Sequence, residues 1–489
     1  MVVSNISPPS TVALTAATCS DADDDWASKI ETSHLDAEQT MKLFDVLKPF
    51  DTLWKGHLGQ IQGVRHHIDT GNSAPVWAMP YRTGLNQRQV VKEEVKRMLD
   101  MDVIEPSDAE WASPVVLVPK SDGSTRFCVG YRKLNALTRR DSYPFPRMDE
   151  FVDSLGDASF FTTLDANSGY WQILMDEDSK DKSSFTCHAG FFRFKRLPFG
   201  LINAPATFQR ALDLILSKVR YDFALVYLDD IIIFSNSFEE HLVHLSHVLS
   251  LLKAANVSLK LSKCRFAQRE VVYLGHLIKP GRLEMLSARV DALKLIELPR
   301  TKKEMRSFLG LASFYRRFIK RFAKMAKPLH DLTTDRTPSV LPTLSDEQVK
   351  AFDDLKTTLT NPPTLGLPKR DGKYIVDTDA SKYQIGCCLH QKDEEGQRRP
   401  LGYFSRVLRN AEIGYSTVEK EALAVVWAVK TLRPYLEGAR FLVRSDQSSL
   451  QWVFKHTSDD NPRLARFRLK LAGYDFSVNH VHGRDKCLQ

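Results

Sequence analysis

Apolar positions recur with two different periods along this 489-residue chain, and the changes of period mark its elements. LDAEQTMKLFDVLKPF and NQRQVVKEEVKRMLDMDVI (86–104) space their apolar residues three and four apart, as an amphipathic helix does. WASPVVLVPK and STRFCVGYRKLN read as two strands joined by a turn at Ser121-Asp122-Gly123. Helical, strand and turn signals then alternate to about residue 280, and residues 282–332 are mostly helical in pattern. LPTLSDEQVKAFDDLKTTLTNPP begins a tether with a helix of its own. From Lys373 on, strands and helices alternate again, which points to a separate α/β domain. Residues 1–34 show no period, are rich in Ser, Thr, Ala and Asp, and are expected to be disordered.

One interruption of the pattern asks for chemistry. In FALVYLDDIIIFS (223–235) two adjacent aspartates split an apolar run. Neighbouring side chains in a strand point to opposite faces, so a straight strand would push one acid into a core, at high cost. A tight turn at Asp229-Asp230 lets both acids reach one site where cations pair with them; an ordinary polar hairpin tip has the same pattern. A third acid, Asp165, ends the strand-like FFTTL of FFTTLDANSGYWQI. Together they make a plausible two-cation cage for phosphoryl transfer.

A second set of acids lies downstream. KYIVDTDASKYQIGCCL has Asp379 near a strand end, and FLVRSDQSSL has Asp446 at another. YSTVEKEALAVVWAVKTLRPYLEG is a helix in which Ser416 and Glu419 form a capping-box signature and Gly438 supplies a stop. Glu419 thus has a structural task, which leaves Glu421 as the freer acid.

Composition adds three points. The length leaves room for two to four domains with sizeable cores. The net charge of +8 is uneven: residues 299–330 carry ten Lys or Arg and one acid, which suits a phosphate backbone or a solvated helix face. The seven cysteines show no zinc or disulfide spacing, so a reducing compartment fits. No apolar span is long enough for a membrane helix, and no basic residue precedes Lys29, which argues against a secretory signal.

WASPVVLVPKSDG, LDANSGYWQI, LPFGLINAPATFQ and YLDD, in that order, resemble the reverse transcriptase of gypsy-type LTR retrotransposons, over roughly residues 60–489. The resemblance implies a mixed α/β (α+β) chain: a right-hand polymerase of fingers, palm and thumb, then an RNase H-like α/β domain. The expected divisions are a disordered lead-in (1–40), a linker (41–85), fingers and palm (86–280), thumb and connection (281–342), a tether (343–372) and the RNase H-like domain (373–489). Asp165, Asp229 and Asp230 match the palm carboxylates that hold two Mg²⁺ ions, with Mn²⁺ as a substitute. Tyr170 matches the aromatic that excludes a 2′ hydroxyl. Lys120 and Arg126 match residues that clamp the triphosphate, and the amides near Ser168 and Gly169 are suited to phosphate oxygens. Phe199 of LPFG stands where retroviral relatives carry Gln, and Pro198 and Gly200 shape the loop beside the nascent base pair. One departure is Gly130, in VGYRKLN where the family usually has VDYRKLN; a supporting contact in the fingers strand is expected to be lost.

In the basic stretch, Phe308, Leu311, Phe314, Phe318 and Phe322 recur at helical spacing. They would pack inward and leave Arg316, Arg317, Lys320, Arg321 and Lys324 to face template–primer phosphates, as in a thumb. Asp379, Glu421 and Asp446 match three metal-binding acids of the retrotransposon RNase H, which hydrolyses RNA in RNA–DNA hybrids with two metals. HVHGRDKCLQ ends where relatives continue to a fourth acid, and Asp485 comes too early to replace it. The chain is therefore expected to be a fragment of a longer polyprotein with impaired RNase H activity. Asp69-Thr70-Gly71 spells the aspartic-protease triplet but lacks its apolar flanks, and belongs to the family's linker wording. The implied partners are an RNA template, a DNA primer, RNA–DNA hybrid and dNTPs, with no membrane. The implied location is cytoplasmic, in a virus-like particle, or nuclear. A decayed copy that only binds nucleic acid is the rival reading.

Overall fold

The computed structural model describes residues 26–119, 125–393, 395–455 and 461–482. The chain divides into two compact units. One comprises the residues up to Arg140, Leu164–Ala211 and Leu249–Phe266; the other comprises Asp141–Thr163, Leu212–Val248 and the chain from Ala267 on.

In the first unit, Asp36 opens the helix Ala37–Leu47. Its carboxylate accepts the Gln39 N–H at 2.8 Å, and the Gln39 side chain accepts the Asp36 N–H at 3.4 Å, a reciprocal cap. Leu43 and Leu47 are buried, and Trp26 lies against Phe44 and Trp54 at ring separations of 5.9 and 5.6 Å. The disordered lead-in expected over 1–40 is therefore corrected from residue 26 on, because aromatic packing offsets the entropy of ordering this segment; residues 1–25 lie outside the described residues.

The helix Leu85–Asp100 buries Val91, Val95 and Met98. It stops short of the expected residue 104 because Asp102 takes a left-handed conformation, φ 54°, and Ile104–Pro106 is a strand. That strand edges a five-stranded sheet in the order Ile104–Pro106, Gly190–Phe194, Phe185–Cys187, Ser113–Pro119, Thr125–Val129. The last two strands are the expected antiparallel pair, with Val115 opposite Val129 and Val118 opposite Arg126. The turn predicted between them lies outside the described residues. Gly130 continues this pair: a Cβ there would meet the Pro114 carbonyl at 3.3 Å, so a larger side chain would require the neighbouring backbone to give way.

In the second unit, Ala224–Tyr227 and Asp230–Ser235 form an antiparallel hairpin with Asp230 opposite Tyr227. The two-residue turn is thus Leu228-Asp229, one position earlier than expected, and Leu228 adopts φ 55°. The hairpin belongs to a four-stranded sheet in the order Arg265–Gln268, Phe160–Asp165, Asp230–Ser235, Ala224–Tyr227. Behind the hairpin, His241 is fully buried and hydrogen-bonded to the Thr162 hydroxyl at 2.7 Å and the Ser235 hydroxyl at 3.1 Å.

The region expected to be mostly helical starts with a strand, Arg282–Met285, which pairs with His276–Lys279 and with Leu365–Gly366. Helices Ser287–Lys294, Lys302–Phe314 and Phe322–His330 follow. The segment expected as a tether is packed in place. Its helix Asp346–Thr360 buries Phe352, Leu355 and Leu359, and Phe352 meets Phe308 at 4.7 Å.

The C-terminal sheet has the order Arg398–Val407, Gln384–Lys392, Ile375–Ala380, Phe441–Ser445, Phe476–His480. Its first three strands are antiparallel and its last two join in parallel. The apolar face of helix Thr417–Thr431, with Ala422, Val425, Val426 and Val429, fills the core against Val376, Leu389 and Val443. Cys388 and Tyr403 of this sheet belong instead to the core that contains Phe308, Phe318 and Phe352, so the C-terminal domain and the connection share buried surface.

Candidate active sites

The chain beyond Asp165 is held rigidly within the first unit. Ala166 bridges Leu259, and the Asn167 N–H donates to the Ser258 carbonyl at 3.0 Å. The fully buried Gln172 amide donates to the carbonyls of Asn167 and Ser258, both at 2.9 Å, and accepts the Ser258 N–H at 2.8 Å. A buried amide satisfied on both ends fixes the turn. The Asp165 carboxylate faces the Lys263 ammonium at 3.0 Å. In the second unit, Asp229 is half-buried in the hairpin turn and Asp230 is exposed at the start of its strand. Burial raises the Tyr273 phenol, and the Asp230 charge and Tyr227 push it further the same way.

After Asp165, Ser168 is left-handed with φ 50°. Gly169 sits so close to Phe208 that a Cβ would stand 2.7 Å from the ring. Tyr170 then stacks on Phe199, centroids 5.0 Å apart and planes 30° apart, and meets the edge of Phe208 at 5.4 Å. Gly200 takes φ 97°, a conformation that disfavours side chains. The loop is pinned by Asn135, which donates to the Gly200 carbonyl and accepts the Ile202 N–H, both at 2.9 Å. Arg126 is exposed on its strand; Lys120 lies outside the described residues.

Of the two acid trios expected from the sequence, the second is the one group of three among the described residues whose ligand atoms all lie within 4.8 Å: Asp379, Glu421 and Asp446. Asp379 comes from the central strand, Asp446 follows the adjacent parallel strand, and Glu421 rises from the helix beneath. Glu421 is 4% exposed and accepts the Ala380 N–H at 3.0 Å and the Ser445 hydroxyl at 3.3 Å. Three hard oxygen donors at this spacing, one held from below, fit a divalent cation.

Glu419 has the structural task assigned to it. It caps the helix with Ser416 and binds Arg463 at 2.7 Å and Asn461 at 3.2 Å. Burial alone would raise its carboxyl, but the Ser416 N–H, Asn461 and Arg463 override that and hold it low. The helix ends at Thr431, before a short turn Arg433–Leu436; left-handed Gly438 closes that turn rather than the helix itself.

The basic stretch is corrected in part. Its helix ends at Phe314, which is exposed, whereas Phe308 and Phe318 are buried. A 3-10 turn Arg316–Phe318 follows, and Arg321 is left-handed with φ 53°. This break turns Arg317 inward: it pairs with Asp153 at 2.8 Å and donates to the Leu401 carbonyl at 2.6 Å. Burial works against its charge, and Asp153 more than offsets this, so its guanidinium is held charged. Arg317 therefore does not face a phosphate backbone. Arg316, Lys320 and Lys324 are exposed. Arg321 reaches the Asp379 carboxylate at 3.6 Å. Nothing local in the sequence signals that contact. The sequence reading also missed Asp377, buried two residues before Asp379 and therefore on the same strand face. Asp377 meets Arg444 and His390, each at 3.3 Å.

Comparisons with known proteins agree with this layout. Residues 118–278 match the family described as reverse transcriptase (RNA-dependent DNA polymerase), and residues 369–474 match the RNase H-like domain found in reverse transcriptase. The chain is 37% identical over 466 residues to the retrovirus-related Pol polyprotein from transposon 297 of Drosophila melanogaster, covering 94% of this chain and 43% of that protein. It is 35% identical over 434 residues to the Pol polyprotein from transposon gypsy of the same fly, covering 86% and 41%. The chain thus spans under half the length of these curated relatives. Its fold is that of the foamy viral protease-reverse transcriptase in complex with double-stranded DNA. Two such structures align with TM-scores of 0.82 and 0.80 at 23% identity, over 97% and 94% of this chain and 84% and 97% of theirs. With both domains matched in order and relatives of this identity along most of its length, this chain belongs with the Pol polyproteins of gypsy-type LTR retrotransposons and carries their reverse transcriptase and RNase H-like domains.

Proposed function

We propose that this chain synthesises DNA on RNA and DNA templates and hydrolyses the RNA strand of RNA–DNA hybrids. Two observations carry the reading: residues 118–278, which include Asp165, Asp229 and Asp230, match the reverse transcriptase family, and the downstream acids are gathered in space. Asp379, Glu421 and Asp446 form a second, tight trio. In the polymerase, Asp165, Asp229 and Asp230 would hold two Mg²⁺ ions. In the nuclease, Asp379, Glu421 and Asp446 would do the same, with Mn²⁺ as a substitute in both. Bound there, the ions lower the cost of deprotonating a 3′ hydroxyl or a water and stabilise the leaving oxygen.

The chain's own residues then bind and orient. Tyr170 closes the space beside the sugar of an incoming dNTP, so a 2′ hydroxyl is excluded by contact. Arg126, with Lys120, takes the triphosphate through charge-assisted bonds, and the amides at Ser168 and Gly169 approach phosphate oxygens. Arg316, Lys320 and Lys324 hold the template–primer backbone. Groove shape and 2′ hydroxyls guide the hybrid to the nuclease.

Primer extension on poly(rA)–oligo(dT) with Mg²⁺, comparing the chain with Asp229→Asn, tests the polymerase; equal signals refute it. Cleavage of a labelled hybrid by the chain and by Glu421→Gln tests the nuclease in the same way.

A further inference from the structure

We infer that Phe199 is the positioning residue that makes Tyr170 an effective sugar gate, an inference that rests on the polymerase reading above. A gate that works by contact discriminates only as far as its wall resists displacement. Phe208 and Phe199 both pack against the Tyr170 ring. Phe208 meets it edge-on at 5.4 Å, is fully buried, and is itself pressed against Gly169; that side has no room to give. Phe199 lies across the face of Tyr170 at 5.0 Å and 30°, with Trp171 tilted against it at 6.2 Å. Phe199 therefore supplies the exposed wall behind the gate.

Two features separate this contact from ordinary core packing. Phe199 is 50% exposed, so its ring does little to fill an interior, although adjacent Leu197 is buried. The backbone just after it is fixed by the two Asn135 hydrogen bonds, to the Gly200 carbonyl and from the Ile202 N–H. Gly200 also needs its left-handed φ of 97° to turn the chain there. A pinned loop that spends its length presenting an exposed aromatic ring to a second aromatic ring is built to hold that second ring. A glutamine at position 199 would replace a flat rigid partner by a flexible polar one and release one face of Tyr170.

The test is single-nucleotide extension of oligo(dT) on poly(rA), with kcat/KM measured for dTTP and for UTP. Phe199→Gln and Phe199→Leu are expected to raise the UTP-to-dTTP ratio by about tenfold, chiefly through a lower KM for UTP. Phe199→Tyr, which keeps the ring, should stay near wild type. Thermal melting should shift little in all three, since the ring is half exposed. A ratio within about twofold of wild type in Phe199→Leu overturns the inference while leaving the polymerase intact. The same holds if Phe199→Tyr loosens the gate as much as Phe199→Leu. Absence of dTTP extension by the unmutated chain, or no change in the ratio on Tyr170→Val, overturns the underlying reading and the inference with it.

Discussion

The two sets of acids in this chain are placed differently. Asp379, Glu421 and Asp446 project from two adjacent strands and the helix packed beneath them, all within one unit, and Glu421 is buried and doubly hydrogen-bonded. Their closeness is a by-product of one small sheet's register. Asp165 belongs to one unit, whereas Asp229 and Asp230 sit at a hairpin in the other, and Asp165 faces a lysine. A trio carried by one rigid sheet and its helix is organised by local packing.

The strongest way to break this comparison is to remove one acid from each centre. Asp229→Asn should lower primer extension by on the order of 10³-fold while sparing hybrid cleavage, and Glu421→Gln should do the converse. Cross-effects of similar size in either assay would mean the two centres are not independent.

The basic stretch that lies between the two sets of acids in the sequence sharpens it next. Arg317→Ala leaves the half-buried Asp153 carboxylate with the Tyr435 hydroxyl but without its cation, and should cost about 1–3 kcal/mol in thermal unfolding. Arg316→Ala should cost under about 0.5 kcal/mol yet reduce the salt dependence of duplex binding by about one unit of slope. Equal melting temperatures for the two variants would show that Arg317 is not the structural one.

A third comparison is between the two glutamates of one helix. Glu419→Ala removes a capping acid and the Arg463 pair and should lower stability by about 2 kcal/mol, whereas Glu421→Gln should melt near wild type but no longer show a Mg²⁺-dependent rise in melting temperature. If Glu419→Ala instead abolishes cleavage at unchanged stability, the roles are reversed.

The last effect is on pH. Burial, with a lesser push from His244, lowers His241 from its usual range to about 3. The imidazole is therefore neutral in the folded chain while the unfolded chain takes up a proton below about pH 6.5. Stability from this group is complete above that pH and is lost as pH falls toward 3, by about 1.4 kcal/mol per pH unit. Urea titrations of His241→Gln should show a flatter acid limb; an unchanged limb would sink the assignment.

Much of this was legible in the residues. Strand Phe160–Asp165, helix Ala37–Leu47 and the Ser416–Glu419 cap all follow from local period and capping chemistry. Motif order also placed the reverse transcriptase and RNase H-like domains. The turn at Leu228-Asp229 was misread by one position because hairpin register is set by strand pairing as well as by turn residues. Trp26 looked like part of a disordered lead because its partners, Phe44 and Trp54, are distant in sequence.

What the sequence by itself determined is the chemical inventory: which carboxylates, cations and rings exist, and near which strand or helix the acids of the two sets stand. Only the tertiary structure decided that Arg317 turns inward while Arg316 stays in water, that Arg321 reaches Asp379, and that Phe199 lies flat on Tyr170. The reason is physical: period and propensity act over a few residues, whereas these contacts join segments tens of residues apart, or depend on a backbone break, and exist only once the cores have packed.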